Sequence, residues 1–214
     1  MADGPLIVTI DGPAASGKSS VARGVASSLG VPYLSSGLLY RLVAVAALAG
    51  NVDPTSEAAL ASLLARHDLR LVPDPAGNRV LLDGRDVTDE TSSSRVDETV
   101  SRVAQHPRVR QWVNESLKRL PGPFVAEGRD MGAAVFPEAP VKLYLTASSR
   151  VRAVRRSRER PEDTDAIEAA IVERDARDAV NSRPAPDAVT LDSSELNLEQ
   201  VIDRALDEVR RRIG

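Results

Sequence analysis

The chain has 214 residues, 28 lysines and arginines against 31 acidic residues, a formal charge of −3 and no cysteine. That length buries one core and is short for two ordinary domains, so one main domain with a small insertion is expected. The acidic balance offers no overall attraction to nucleic acid or anionic lipid, and the lack of cysteine excludes disulfides, thiolate metal sites and cysteine nucleophiles.

The N-terminus carries Asp3 and no basic segment, which argues against a secretory signal and makes the cytoplasm the expected compartment. "LIVTID" reads as a fully buried strand, followed by a glycine-rich turn and a helix in "KSSVARGVASSLG", with Val21, Val25 and Leu29 at helical spacing and Gly30 as its C-cap. "VPYLSSG" reads as a short strand and "GLLYRLVAVAALAG" as a helix; its apolar run Leu42 to Gly50 falls far short of the about 20 residues of a bilayer span, so it is a buried helix. Leu69 to Thr88 alternates apolar and polar residues around the turn-forming "DPAGN" and reads as a hairpin insertion. "GPFVAEGRD", "VKLYLTA" and "DAVTLDSS" are further short strands ending in polar residues. Between the last two, Arg150, Arg152, Arg155, Arg156, Arg158 and Arg160 precede a proline and an acidic stretch, a pattern open to a solvated helix face or a nucleic-acid patch. The C-terminal segment spaces Val201, Ile202, Leu206 and Val209 as a packed amphipathic helix. His67 and His106, the only histidines, read as solvated loop or helix-end residues rather than a metal pair, and Trp112 and Tyr144 as core packing.

Strands alternating with helices imply an α/β fold with a parallel sheet, whose ligands bind at the carboxyl ends of the strands. Gly12, Ser36, Glu127 to Asp130, Thr146 and Asp192 all fall at such ends. Gly12, Gly17, Lys18 and Ser19 satisfy G-x-x-x-x-G-K-[ST], in which backbone N–H groups curl around an anion. Lys18 suits the outer phosphates and Ser19 a Mg²⁺ ion, and the unpaired N–H groups of the following helix face the same anion. The loop reads a nucleoside triphosphate but leaves switch GTPases, motor ATPases and small-molecule kinases open. The absence of an N-K-x-D signature counts against a GTPase. Arg41, Arg110, Arg129, Arg174 and Arg177 stand in short polar motifs. They suit phosphate oxygens, each charge-assisted bond being worth about 1.5 to 3 kcal/mol, or else form salt bridges on helix faces.

"TIDGPAASGKSS", "SSGLLYR", "HPRVR", "EGRDMGAAVFPEAPVKLYLTASS", "ERDARD" and "DAVTLDSSELNLEQVI", in order and across nearly the whole chain, resemble the bacterial cytidylate kinases. The resemblance implies a three-layer P-loop fold with a five-stranded parallel sheet, a hairpin-containing monophosphate-binding insert at about 60–100 and a short lid at about 150–166, within a single domain of residues 1–214. It implies transfer of the ATP γ-phosphoryl to CMP or dCMP with Mg²⁺, by a monomer without nucleic-acid or membrane partners. By motif, Gly12, Pro13, Ala14, Ala15, Ser16, Gly17, Lys18, Ser19 and Ser20 hold ATP. Ser36, Tyr40, Arg41 and Arg129 belong to the acceptor site, with Ser36, Arg41 and Arg129 at its phosphate; Ser101, Arg110 and Asp130 resemble the cytosine-facing set, and Arg174 and Asp178 the sugar-facing one. A carboxylate such as Asp130 accepts from the cytosine N4 amino group, while Arg or Ser donates to N3 and O2; uracil presents mismatched groups at those positions.

The chain departs from the family in two places. It writes Ser35-Ser36-Gly37 where D-S-G is usual, and Asn181 where the family repeats an arginine, leaving Arg183 to fill that role with Arg177 as a rival. A phosphate monoester has a second pKa near 6 and is mostly ionised at neutral pH, so no general base is needed. Positioning and charge then carry catalysis, through Lys18, Arg129, Mg²⁺ and the lid arginines Arg155 and Arg156. The alternatives are a P-loop kinase for another small acceptor, such as UMP, and a non-kinase nucleotide-binding ATPase.

Overall fold

The computed structural model describes residues 5–74, 77–158, 163–178 and 183–213. In chain order come β1 (Ile7–Asp11), α1 (Lys18–Leu29), β2 (Tyr33–Ser35), α2 (Ser36–Ala49), α3 (Glu57–Arg66), β3 (Leu69–Asp74), β4 (Gly77–Leu82) and β5 (Arg85–Asp86). A 3-10 turn at Asp89–Ser92 leads to α4 (Ser94–Val103), α5 (Pro107–Lys118) and β6 (Phe124–Gly128). A π-helical turn at Met131–Val135 then precedes β7 (Val141–Thr146), α6 (Ser149–Ser157), α7 (Thr164–Asp178), β8 (Val189–Asp192) and α8 (Leu198–Ile213).

The main sheet is parallel and five-stranded, in the order β2-β6-β1-β7-β8, as the alternation of strands and helices implies. The chain divides into two compact units, Met1–Val31 with Gly122–Gly214, and Pro32–Pro121. In the first unit β1 lies between β6 and β7, and β7 pairs with β8. The consecutive residues Val8, Thr9 and Ile10 are at most 1 % exposed, which requires cover on both faces of the sheet. Helix α1 buries Val21, Ala22, Val25 and Ala26 and stops at Gly30, whose left-handed backbone (φ 66°) returns its N–H to the carbonyls of Ala26 and Ser27. Helix α8 buries Val201, Leu206 and Val209 at the expected spacing, with Ile202 half-buried.

The second unit is built on α2, which buries Leu39, Leu42, Val43, Ala44, Val45, Ala46 and Ala47 and so is apolar on every side. Around it pack α3, α4 and α5 and the antiparallel β3-β4-β5 sheet. The segment expected to form a hairpin has three strands rather than two. Asp83 (φ 51°) and Gly84 (φ 81°) provide a second tight turn, the pair of positive φ angles that an Asp-Gly hairpin turn uses. The expected insert at about 60–100 lies within this unit.

Two core expectations need correction. Trp112 is half-buried, on the flank of α5, whose buried residues are Val109, Val113 and Leu117. Tyr144 is half-buried near the end of β7, in register with Asp11, and burial raises its phenol pKa. The histidines sit at helix ends: His67 closes α3 and contacts Asp83 at 2.7 Å, and His106 precedes α5 and contacts the Pro54 carbonyl at 2.9 Å.

Candidate active site

The loop between β1 and α1 owes its path to two glycines. At Gly12 (φ 153°) a Cβ would lie 2.0 Å from the backbone oxygen of Leu145, so no side chain fits. Gly17 (φ 90°) opens α1 in a left-handed conformation that disfavours a side chain without any steric obstacle. Between them Ala15 is left-handed too (φ 57°), Pro13 is half-buried, and Ala14 and Ser16 are buried. The Ser16 hydroxyl is buried without a hydrogen-bond partner. Ser19 and Ser20 are exposed in the first turn of α1, where backbone N–H groups lack intrahelical partners.

Lys18 folds back over this loop, its Nζ donating to the Pro13 carbonyl at 2.8 Å. Burial, then the nearby Arg129 guanidinium, lowers its pKa to about 8, against the opposing pull of Glu127 and Asp11. A cavity of about 590 Å³ opens beside the loop, lined by Gly17, Lys18, Ser19, Arg155, Arg156 and Asn197 among others. That volume lies in the range of small-ligand sites, about 300–1,000 Å³. Arg155 is held by the carbonyls of Ser16 (3.3 Å) and Ser193 (2.7 Å) and the Ser193 hydroxyl (3.0 Å), and its burial lowers its pKa.

Arg129, beyond the end of β6, forms an ion pair with Asp178 of α7 at 2.9 Å, and Arg174 lies 3.6 Å from the same carboxylate oxygen. Arg129 Nη1 is buried without a hydrogen-bond partner. Arg129, Arg174 and Asp178 are therefore brought together, and both arginines act on the charge of Lys18. Asp130 immediately precedes the π-helical turn. Arg183 is exposed on the approach to β8. Asn181, like Arg160, lies outside the described residues, and Arg177 is on α7.

In the second unit Ser36 is buried at the start of α2, and Tyr40 and Arg41 follow about a turn later. Arg41 donates to the Thr91 carbonyl and to Asp97, each at 2.6 Å. Asp97 and Ser101 are four apart on α4 and share one face, so the ion pair fixes that face against α2. Arg110 is half-buried on α5. Ser35, which stands where the resemblance has an acidic residue, is buried at the N-cap of α2.

The arginine-rich segment is divided among partners. Arg150 pairs with Asp165 and Glu168, Arg152 with Asp175, and Arg155 with backbone carbonyls, as in an ion-paired helix face. One residue was missed in the sequence. Asp11 is buried, accepts the N–H groups of Met131 and Gly132 at 2.8 Å each, and has its pKa raised by burial to about 6. Its position as the one charged residue, at the end of a buried strand, was the available signal.

A family model described as cytidylate kinase matches residues 8–211. A cytidylate kinase of Deinococcus deserti is 60% identical over 197 residues, 92% of this chain and 95% of its own. One from Deinococcus radiodurans is 56% identical over 204 residues, covering 95% and 99%. The solved structure of TT1252 from Thermus thermophilus shares the fold, with a TM-score of 0.52 at 20% identity and coverage of 99% of this chain and 100% of that one.

Proposed function

The chain belongs to the cytidylate kinase family, and from that premise we propose that it transfers the γ-phosphoryl group of ATP to CMP or dCMP, giving ADP and CDP or dCDP. It is an enzyme, a nucleoside monophosphate kinase. The observation that carries the reading is the meeting of Lys18 of α1, Arg129 just after β6 and Arg174 of α7, with Arg129 Nη1 buried and unpartnered. Half-buried cations beside a glycine-rich loop at a helix N-terminus suit polyanionic phosphates.

In this reading the backbone of Gly12 to Ser20 and Lys18 hold the triphosphate. By the motifs they match, Ser36, Arg41 and Arg129 are each assigned to the acceptor phosphate, Tyr40, Ser101, Arg110 and Asp130 to the acceptor, and Arg174 and Asp178 to its sugar. The acceptor oxygen is already ionised, so these groups align it in line with the γ-phosphorus and balance charge as it shifts to the leaving oxygen. Arg155, tied to Ser16 and Ser193, shapes the donor loop, which leaves Arg156 as the lid cation beside the cavity. Arg183 takes the role of the family arginine missing at Asn181.

The site fits Mg²⁺ held chiefly by phosphates and water. Ser19 presents an exposed hydroxyl beside the cavity, and no cluster of three or more His, Cys, Asp or Glu suited to a metal occurs among the described residues. When bound, Mg²⁺ neutralises charge on the transferring phosphoryl group. A cytoplasmic monomer is proposed; no helix among the described residues is long and apolar enough to cross a membrane.

An acceptor panel of CMP, dCMP, UMP, AMP and shikimate with ATP and Mg²⁺, followed by ADP release, tests the reading. CMP and dCMP should turn over fastest. Faster turnover of UMP or AMP would overturn the base assignment, and ATP hydrolysis without any acceptor turnover would overturn the kinase assignment.

A further inference from the structure

The donor loop is held from outside by a residue that lies in no donor or acceptor motif. Arg152 of α6 is 6 % exposed and uses all three guanidinium nitrogens on three different segments. Nε donates to the Ala147 carbonyl at 3.0 Å, Nη1 to the Ala14 carbonyl at 3.0 Å, and Nη2 lies 2.6 Å from the Asp175 carboxylate on α7. One helical turn on, Arg155 takes the Ser16 carbonyl. In a planar trans peptide the N–H points opposite the carbonyl, so drawing the Ala14 and Ser16 oxygens toward α6 turns the N–H groups of Ala15 and Gly17 away from it. Such aligned N–H groups are what an anion-binding loop needs. The Ala15 methyl adds a third fastening, packed against Ala153, Ile167 and Ile171 of α6 and α7.

Asp175 connects this anchorage to the other half of the chemistry. It lies between Arg174 and Asp178 on α7, and Asp178 carries the ion pair to Arg129. A shift of α7 that moved Asp178 would thus pull on Arg152, and through it on the Ala14 peptide.

We propose that Arg152 is a positioning residue that holds the Ala14 carbonyl and the Asp175 carboxylate together, so that the donor loop and α7 are set as one unit and donor and acceptor binding reinforce each other. This rests on the kinase reading above. Guanidinium geometry is essential to it, because the single ammonium of a lysine cannot span three acceptors in fixed directions.

The test measures the dissociation constant of an ATP analogue with a methylene bridge between its β and γ phosphorus atoms, with and without CMP. The unsubstituted protein, Arg152→Met, Arg152→Lys and Asp175→Asn are compared, together with kcat and KM for both substrates. In the unsubstituted protein CMP should tighten analogue binding about fivefold or more, and the analogue should tighten CMP binding by the same factor. Arg152→Met should bring that factor near one and lower kcat by about 10²-fold, the effect of a misplaced reacting group, and Arg152→Lys should not restore either. Asp175→Asn, which keeps the Ala14 bond, should abolish the factor while changing analogue affinity alone by less than about twofold. A merely structural ion pair would lower the melting temperature of Asp175→Asn and leave the factor intact, which overturns the proposal. So would the absence of mutual tightening in the unsubstituted protein. Failure of the kinase reading is seen separately, as no phosphoryl transfer to CMP by the unsubstituted enzyme, and Asp175→Asn keeps the proposal open to test if Arg152→Met does not fold.

Discussion

The Asp11 carboxylate, at the end of β1, accepts the backbone N–H of Gly132 at 2.8 Å across 121 residues of sequence. With the Met131 N–H on its other oxygen it anchors the π-helical turn that follows Arg129 and Asp130. Replacing Asp11 with Ala leaves two buried N–H groups without an acceptor, at about 1–3 kcal/mol each, and should lower both urea stability and kcat. The pH dependence has a definite sign. With its pKa raised from 3.8 to about 6, the group binds its proton more tightly in the folded state, so its contribution is most favourable below pH 4 and declines as pH rises to 6. The unsubstituted protein should therefore gain about 2 kcal/mol relative to Asp11→Asn as pH falls from 6 to 4, and parallel stability curves would show that the carboxylate does not titrate in that window.

Lys18 shifts the other way. The free protein loses the Lys18 ammonium charge above about pH 8, whereas bound phosphates favour the protonated form. ATP binding should take up protons near pH 8, and affinity should fall as pH rises above it. Calorimetry in buffers of different ionisation enthalpy reads the uptake, which Lys18→Ala should abolish while lowering turnover by about 10³-fold. Near-normal turnover in that variant would remove Lys18 from the catalytic set.

The two loop glycines should respond differently to alanine. Gly12→Ala drives a Cβ to 2.0 Å from the Leu145 oxygen and must displace backbone, so nucleotide binding should be lost while circular dichroism still reports a folded chain. Gly17→Ala meets no atom within 4 Å and carries only the left-handed backbone cost of about 1–2 kcal/mol. Titration with a fluorescent ATP analogue should rank Gly17→Ala well above Gly12→Ala in affinity.

Asp130→Asn exchanges an acceptor for an amide that can also donate, and should move the kcat/KM ratio of CMP over UMP toward UMP by about tenfold or more, within the 1–3 kcal/mol of a good base contact. An unchanged ratio would remove Asp130 from the base pocket. Arg183→Ala should raise KM for CMP severalfold, and unchanged kinetics would transfer its role to Arg177.

The alternation of buried strands and helices, the phosphate loop and the order of the short arginine motifs were legible in the chain because each depends on residues near one another: glycines for a turn, apolar spacing for a buried face, Lys18 at a helix start. The third strand at Arg85–Asp86 depends on the Asp83-Gly84 turn, a local signal weaker than the neighbouring "DPAGN". Tyr144 and Trp112 were placed too deep because an aromatic residue at the end of a strand or on a helix flank has the same composition as one in the core.

What the sequence determined by itself was the chemistry on offer: a triphosphate loop, arginines for phosphates, and a family whose members are cytidylate kinases. Tertiary structure decided how the charged side chains are used. Arg150 is spent on Asp165 and Glu168, Arg152 on Ala14 and Asp175, Arg155 on Ser16 and Ser193, and Asp11 on the N–H groups of a turn 120 residues away. A buried guanidinium or carboxylate takes the partners that folding brings within about 3 Å, and those partners come from segments whose sequence separation carries no local signal.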